Sequence, residues 1–446
     1  MERRKFIKNS SLFVAGAAVG PAFLNYACAK EPILPESSFN GKIIIIGAGA
    51  AGMYAAYHLQ KGGHDFQIIE AAAETGGRLG KIEGFADYPL DKGAQWLHGK
   101  KSVAGDLAKL KDVVFNKDKS DARFWFNNEI IKDLPNDPTA VLYDVNAPDV
   151  SFEQYSNDKG FGEEYKYIIE GLAGDSGADA GNLSVKWNSR EEEEWSSGNS
   201  DYKFEKTFYD LLGDHILPSI QSKIKLNAIV SDIDYQSDQI TVTDTIGGTY
   251  VCDKVIVTVP LPILQDGDIT FSPALSTEKT EAFSKIGMDA GMKVFLKFSS
   301  KFYDGNIAGG ALCAAYADES EGKNGNDNVL LAFVMGEQAQ VLTDLGSDEA
   351  IASALLVELD LMYDGQASSN FTEAHIEDWT SNPFVRGAYS YSKVGIGDAR
   401  SKAASSVQDK IFFAGECMNL NGHHQTVHGA MESGFNAVSK ILKQYP

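Results

Sequence analysis

Three glycines, Gly47, Gly49 and Gly52, stand in G-x-G-x-x-G spacing behind the run Ile43–Ile46. This is the spacing that cradles a pyrophosphate. The first glycine permits the tight turn. The second lets the backbone approach the phosphates, and the third lets helix and strand pack closely. About 20 residues further on, "DFQIIE" ends at Glu70, where an acidic residue suits ribose hydroxyls and disfavours a 2′-phosphate. The chemistry implied is binding of an adenine dinucleotide, NAD or FAD. A second candidate set is weaker. His424 and His428 are four apart, but no acid completes H-E-x-x-H, and a helix starts between them, so no metal is expected.

The elements around these residues follow from pattern. Ile43–Ile46 is wholly apolar and β-branched, as for a strand buried on both faces. Met53–Gln60 reads as the helix whose N-terminus meets the phosphates. Ile411–Ala414 reads as a strand and Gly415-Glu416 as a turn. A further helix begins near Thr426 or Val427. In "MKVFLKF", period-2 alternation puts Lys293, Phe295 and Lys297 on one face. On pattern alone Lys293 is an exposed strand lysine.

The 446 residues carry 40 basic and 62 acidic side chains, a net charge of −22. That argues against nucleic acid, whose binding rests on Lys and Arg. It suits solubility and the steering of a cationic substrate. The chain opens "MERRKFIKNSSLFVAG", a basic region, a short apolar run and small residues, the order of an export signal. Arg3-Arg4 resembles a twin-arginine signal, a route that carries folded proteins. The apolar run is too short and broken to span a membrane. Residues 1–30 are therefore expected to be a signal, cleaved after Ala27-Cys28-Ala29 or lipid-anchored at Cys28, with 31–40 a linker. The product would be periplasmic or extracellular, with the export machinery as a partner and no stable protein partner. Cys252, Cys313 and Cys417 remain beyond it, too widely spaced for a disulfide framework.

Nearly the whole chain resembles the flavin-containing amine oxidase family of monoamine oxidases, polyamine oxidases and lysine-specific histone demethylases. The motifs fall in the family's order: the glycine fingerprint, Glu70, Gly76-Gly77-Arg78, "GAQWLHG" (93–99), "NAIVSDI" (227–233), "CDKVIVTVPLPIL" (252–264), "GMKVFLKF" (291–298), "DWTSNPFVRGAYSY" (378–391) and "FAGE…TVHGA". The resemblance implies an α/β fold. A Rossmann-like FAD-binding domain, with a parallel sheet plus a β-meander, would take residues 41–110, 215–285 and 385–446. An α+β substrate-binding domain on an antiparallel sheet would take 111–214 and 286–384.

It also implies FAD, held by Gly47, Gly49, Ala50, Ala51, Gly52, Glu70, Gly77, Arg78, Gln95, Trp96, Val230, Gly415, Glu416, Thr426 and Val427. Family members with covalent flavin carry Gly-Cys-Tyr where this chain has Gly387-Ala388-Tyr389, so non-covalent FAD is expected. The implied reaction is hydride transfer from the amine α-carbon to flavin N5. Imine hydrolysis to an aldehyde follows, and O2 reoxidises the flavin to give hydrogen peroxide. Lys293 would hold a water against N5, Tyr389 would form one wall of an aromatic cage, Trp379 would pack beside the flavin, and His98 would face the substrate. Gly422 or His423 would take the place of the opposite wall, because "NGHHQ" (421–425) departs from the family's "NYPA". A small cationic, polyamine-like amine is the favoured substrate. The alternatives are an L-amino-acid oxidase or other flavin oxidoreductase, or a non-catalytic FAD-binding protein. Amino-acid oxidases carry an arginine at the position of Trp96, so that reading would need another, such as Arg123. The run 189–201, "SREEEEWSSGNSD", reads as a charged surface loop or helix edge, and 318–328, "DESEGKNGNDN", as a turn or hairpin loop.

Overall fold

A wholly apolar strand has to lie between two covered faces, and Lys42–Ile46 does. In the computed structural model, which describes residues 30–119 and 121–446, Ile43, Ile44 and Ile45 are fully buried. The twin arginines and Cys28 lie outside the described residues. The strand is central in a five-stranded parallel sheet. Its neighbours are Asp65–Ile69 on one side and Lys254–Val257 on the other, with Ile224–Lys225 and Ile411–Phe413 at the edges. The helix after the glycine turn is longer than the pattern suggested, Ala50–Gly62. It packs against the C-terminal helix Val427–Leu442. The expected meander is present as Val230–Asp234, Ile240–Asp244 and Thr249–Cys252, antiparallel in turn, with Thr270–Ser272 added in parallel to the first.

A seven-stranded sheet provides the second platform. Gly291–Phe298 is second from one edge, paired antiparallel with Asn328–Met335 and with the edge strand Phe371–Asp378. The sheet is mixed, because Asn306–Ala308 runs parallel to Ala122–Phe126. A three-stranded sheet of Trp96–His98, Asp201–Phe204 and Phe115–Lys117 joins chain from both sides of residue 110.

Three local expectations change. Residues 31–40 are docked along part of their length: Ser37 Oγ donates to the carbonyls of Leu442 and Tyr445, and Phe39 is buried. The segment 189–201 begins as the end of helix Val185–Glu194, in which Ser189 and Glu192 are buried. Glu191 pairs there with His424. Burial alone would raise its carboxyl, but His424 and then Arg400 bring it down to about 2. The loop from 319 to 327 does join two paired strands, yet its first residue, Glu319, is only 1% exposed.

Candidate active site

Between the two platforms runs one elongated cavity of about 840 Å³. Its walls include every catalytic and cofactor-binding residue expected from the sequence except Gly52, but not the expected wall residue Gly422 or His423. Gly52 lies just behind: a Cβ there would stand 2.0 Å from the Gly47 carbonyl oxygen, so this glycine closes the turn and meets no ligand. Gly47 has φ +107°. A Cβ on Gly49 would have only the Gly76 carbonyl oxygen near it, at 3.8 Å, and one on Gly415 only that of Thr258, at 4.0 Å. Both positions therefore form a cradle that a side chain would fill. The helix starting at Ala50 has no side-chain cap on its N-cap Gly49, which leaves first-turn N–H groups for an anion.

Glu70 and Val230 both line this cavity. The two oxygens of Glu70 accept from the backbone N–H groups of Ala48 (2.6 Å) and Ala72 (2.8 Å). Burial raises its carboxyl above the ordinary range. Glu416 is tied more tightly. It accepts from Arg78 (2.9 Å), Ser390 Oγ (2.7 Å) and the Gln425 N–H (3.0 Å). Burial alone would raise it, but Arg78 and Ser390 bring it below the usual value. Glu416 thus ties together three chain segments, those of Arg78, Ser390 and Gln425. The donor set and the cradle fit an extended dinucleotide.

At the other end Lys293 is 2% exposed, because both faces of its strand are covered. The exposed-lysine pattern fails for that reason. Its Nζ donates to the carbonyls of Asp91 (2.7 Å) and Gly93 (3.0 Å) and to Gln95 Oε1. Burial lowers it to about 8. Gln95 Nε2 in turn donates to Glu319 (2.6 Å), which also pairs with Lys203 at 3.2 Å. Burial alone would raise Glu319, but Lys203 and Lys293 hold it below the ordinary range. Asp91, fully enclosed, is pushed up to about 7 by burial. Sequence reasoning missed this network, since Glu319 lies in a stretch that reads as a solvent loop.

Tyr389 and Trp379 line the same end with Phe333 and Met335. His98 also lines it, with Nδ1 2.8 Å from Asp201. Trp96 donates Nε1–H to Asp118 at 2.9 Å. Neither Gly422 nor His423 is a cavity residue. His423 is buried against Trp195 and pairs with Glu432 at 2.9 Å. Gly422 packs on Glu191 and Glu194. Gln425 is the residue of that segment that reaches the cavity, beside the helix-capping Thr426. The longer segment carries its extra length outward and sets the glutamine facing in. Arg123 is not in the cavity either; it pairs with Asp304 at 2.6 Å. His424 and His428 diverge, to Glu191 and Ser197. Among the described residues Cys252, Cys313 and Cys417 are free and buried, and none lines the cavity.

Residues 207–442 match the model of the flavin containing amine oxidoreductase family, and 45–110 match an NAD(P)-binding Rossmann-like domain. The chain belongs to the flavin-containing amine oxidoreductase family. FAD is the family's cofactor, and the glycine cradle and donor set fit it. The chain is 28% identical to lysine-specific histone demethylase 2 of Homo sapiens over 93% of its own length. It spans 55% of that relative, so about half the length of the demethylase is matched. Probable polyamine oxidase 4 of Arabidopsis thaliana is 25% identical, with 92% of this chain and 88% of the relative covered. The fold matches putrescine oxidase bound to putrescine, with TM-score 0.76 and 19% identity, covering 91% of this chain and 99% of that one. It also matches cyclohexylamine oxidase from Brevibacterium oxydans IH-35A, with TM-score 0.77 and 18% identity over the same shares.

Proposed function

We propose that this chain oxidises a slender aliphatic amine carrying a second positive charge, a polyamine-like substrate, with O2 as electron acceptor. One observation carries the substrate class: Asp175 lines the cavity together with Lys293 and Tyr389, while the guanidinium groups that line it are already committed. Arg78 is paired with Glu416, and Arg386 with Asp266 and Asp268. Among the described residues, both arginines that line the cavity are thus already paired with carboxylates. This disfavours the amino-acid oxidase reading.

FAD, bound between the glycine cradle and Lys293, supplies the hydride acceptor and the two-electron link to O2. The chain's own residues do the rest. Gly47, Gly49, Ala50, Ala51, Gly77 and Gly415 offer backbone to the pyrophosphate region, and Glu70 and Val230 flank the adenosine. Arg78, Gln95, Trp96, Glu416, Thr426 and Val427 bound the flavin half. Tyr389, Trp379 and Phe333 exclude water and lower the cost of a neutral amine, the form whose lone pair assists C–H cleavage. His98, oriented by Asp201, stands at the substrate wall.

Lys293 works under a constraint that the resemblance alone hides. As an ammonium it has three N–H groups, and the structure gives all three to protein acceptors. Only the neutral amine, with two N–H groups and a lone pair, can also engage a water. Its task is thus to take or release a proton at Nζ. With alanine at 388 and, among the described residues, no cysteine lining the cavity, the cofactor is held non-covalently. The opening residues 1–30 fit export of a protein already folded around its cofactor.

The test is anaerobic bleaching of the bound flavin by a panel: spermidine, spermine, putrescine, aromatic monoamines and amino acids. Rapid bleaching by the di- and polyamines supports the reading. Bleaching by amino acids alone overturns the substrate class. A flavin that no amine reduces points to the non-catalytic alternative.

A further inference from the structure

In the segment Tyr389-Ser390-Tyr391-Ser392, Tyr389 lines the cavity, and Tyr391 donates its hydroxyl to Asp289 at 2.8 Å. Ser390 and Ser392 are buried outside the cavity lining, and both meet one guanidinium, that of Arg400. Its Nη1 donates to Ser390 Oγ (3.0 Å) and to the Cys417 carbonyl (2.9 Å), and its Nη2 donates to Ser392 Oγ (3.4 Å). Arg400 lies on the short helix Ala399–Ala404 and is only 9% exposed. A guanidinium has donors only, so each hydroxyl accepts from it and must direct its own proton elsewhere. Ser390 Oγ donates to Glu416 at 2.7 Å, and Ser392 Oγ donates to Glu191. One buried arginine therefore reaches two carboxylates on separate elements, each through a serine. Glu416 stands just after strand Ile411–Phe413 and lines the cavity, whereas Glu191 lies on helix Val185–Glu194. Burial alone would raise both carboxyls. Arg78 and Ser390 hold Glu416 low, His424 holds Glu191 low, and Arg400 adds to both.

We infer that Arg400 is a positioning residue of the cofactor site: its fork sets the hydroxyls of Ser390 and Ser392 toward Glu416 and Glu191, and so holds Glu416 and the Tyr389 segment against the cavity from outside. This rests on the reading of the cavity as the FAD site and extends it to a residue that lines none of it. Arg78 pairs with Glu416 from within the cavity wall, and Arg400 supports the same carboxylate from beyond it. Charge and shape act separately. The charge compensates Glu416, so that a flavin gaining electrons faces a less negative wall. The planar fork serves two serines at once, which the compact ammonium of a lysine does not.

The test compares the holoenzymes of Arg400→Met, Arg400→Lys, Ser390→Ala and Ser392→Ala with the wild type. FAD release on dilution, read from the fluorescence of free flavin, gives the Kd for FAD. Dye-coupled reduction gives the midpoint potential of the bound flavin. Arg400→Met should raise the Kd by roughly tenfold, the equivalent of one hydrogen bond to a charged group. It should also lower the midpoint potential, because the charge of Glu416 is left less compensated. Arg400→Lys should keep the potential and still weaken FAD, because the charge stays and the fork is lost. Ser390→Ala should weaken FAD as Arg400→Met does, and the pair combined should lose no more than Arg400→Met alone, because both act through one contact. Ser392→Ala serves the Glu191 branch and should leave the Kd for FAD within about twofold. If Arg400→Met gives no soluble holoenzyme, the contrast between the two serine variants decides. An unchanged Kd and potential in Arg400→Met, a lysine variant that holds FAD as the wild type does, or equal losses in the two serine variants would each overturn the inference. Failure of the functional reading is distinguishable, because it would show in the wild type: as a protein without flavin, or as a flavin that no amine bleaches.

Discussion

Replacing Glu319 by glutamine should lower the pH at which Lys293 gives up its proton. Glu319 is enclosed, with Lys203 at 3.2 Å and the Gln95 amide bridging it to Lys293. Its charge opposes the burial that brings Lys293 to about 8. Taking ~6 Å for a charge one amide bridge away and an effective dielectric of ~20, the interaction is about 3 kcal/mol, or about 2 pKa units. Screening by Lys203 and Asp91 reduces this, so a fall of at least ~1 unit is expected. The sign of the stability change follows. Folding holds Lys293 below its unfolded value near 10.5, so the folded chain sheds this proton first. The Lys293 contribution to stability is therefore level below about pH 8 and rises between there and 10.5. In Glu319→Gln the rise begins at lower pH. The variant also leaves Lys203 buried without its carboxylate, at a cost of about 3–5 kcal/mol. The assay is the pH dependence of the visible absorbance of bound FAD and of anaerobic flavin reduction at saturating amine. Lys293→Met should abolish the transition and thereby assign it. A midpoint in Glu319→Gln that stays put or moves upward would refute the network as drawn.

Two further outcomes follow from the cofactor end. Gly52→Ala puts a Cβ 2.0 Å from the Gly47 carbonyl oxygen, so the turn cannot close and the purified protein should be colourless; a normal ratio of flavin to protein absorbance would contradict the packing argument. Acid precipitation of the wild-type holoprotein should release all the yellow colour to the supernatant, because Ala388 offers no thiol and, among the described residues, no cysteine lines the cavity. Colour retained in the pellet would refute non-covalent binding.

The legibility of this site in the sequence divides along a physical line. The glycine turn was legible because its constraint is local. Gly47 needs a positive φ and Gly52 meets Gly47, five residues away. The helix start at Thr426 was legible for the same reason, since its hydroxyl caps the N–H of Gly429, three residues on. What failed was decided at long range. Lys293 alternates in a strand and so reads as half exposed, yet its partner Gln95 is 198 residues away and Glu319 is 224 from Gln95. Glu319 and Glu191 sit in charged runs that composition assigns to solvent. Glu319 is buried with Lys203 and Glu191 is half-buried against His424, each partner lying far away in the chain. The segment 421–425 was seen to depart from its relatives, but not which residue would turn inward. That was settled by Glu432 drawing His423 away and by Ser176, 249 residues upstream, receiving the Gln425 amide. The cofactor half of the cavity is built from local backbone geometry, which motifs record. The substrate half is built from side chains that meet only after folding, so the part of the chain that chooses the amine is the part that a motif scan reads least well.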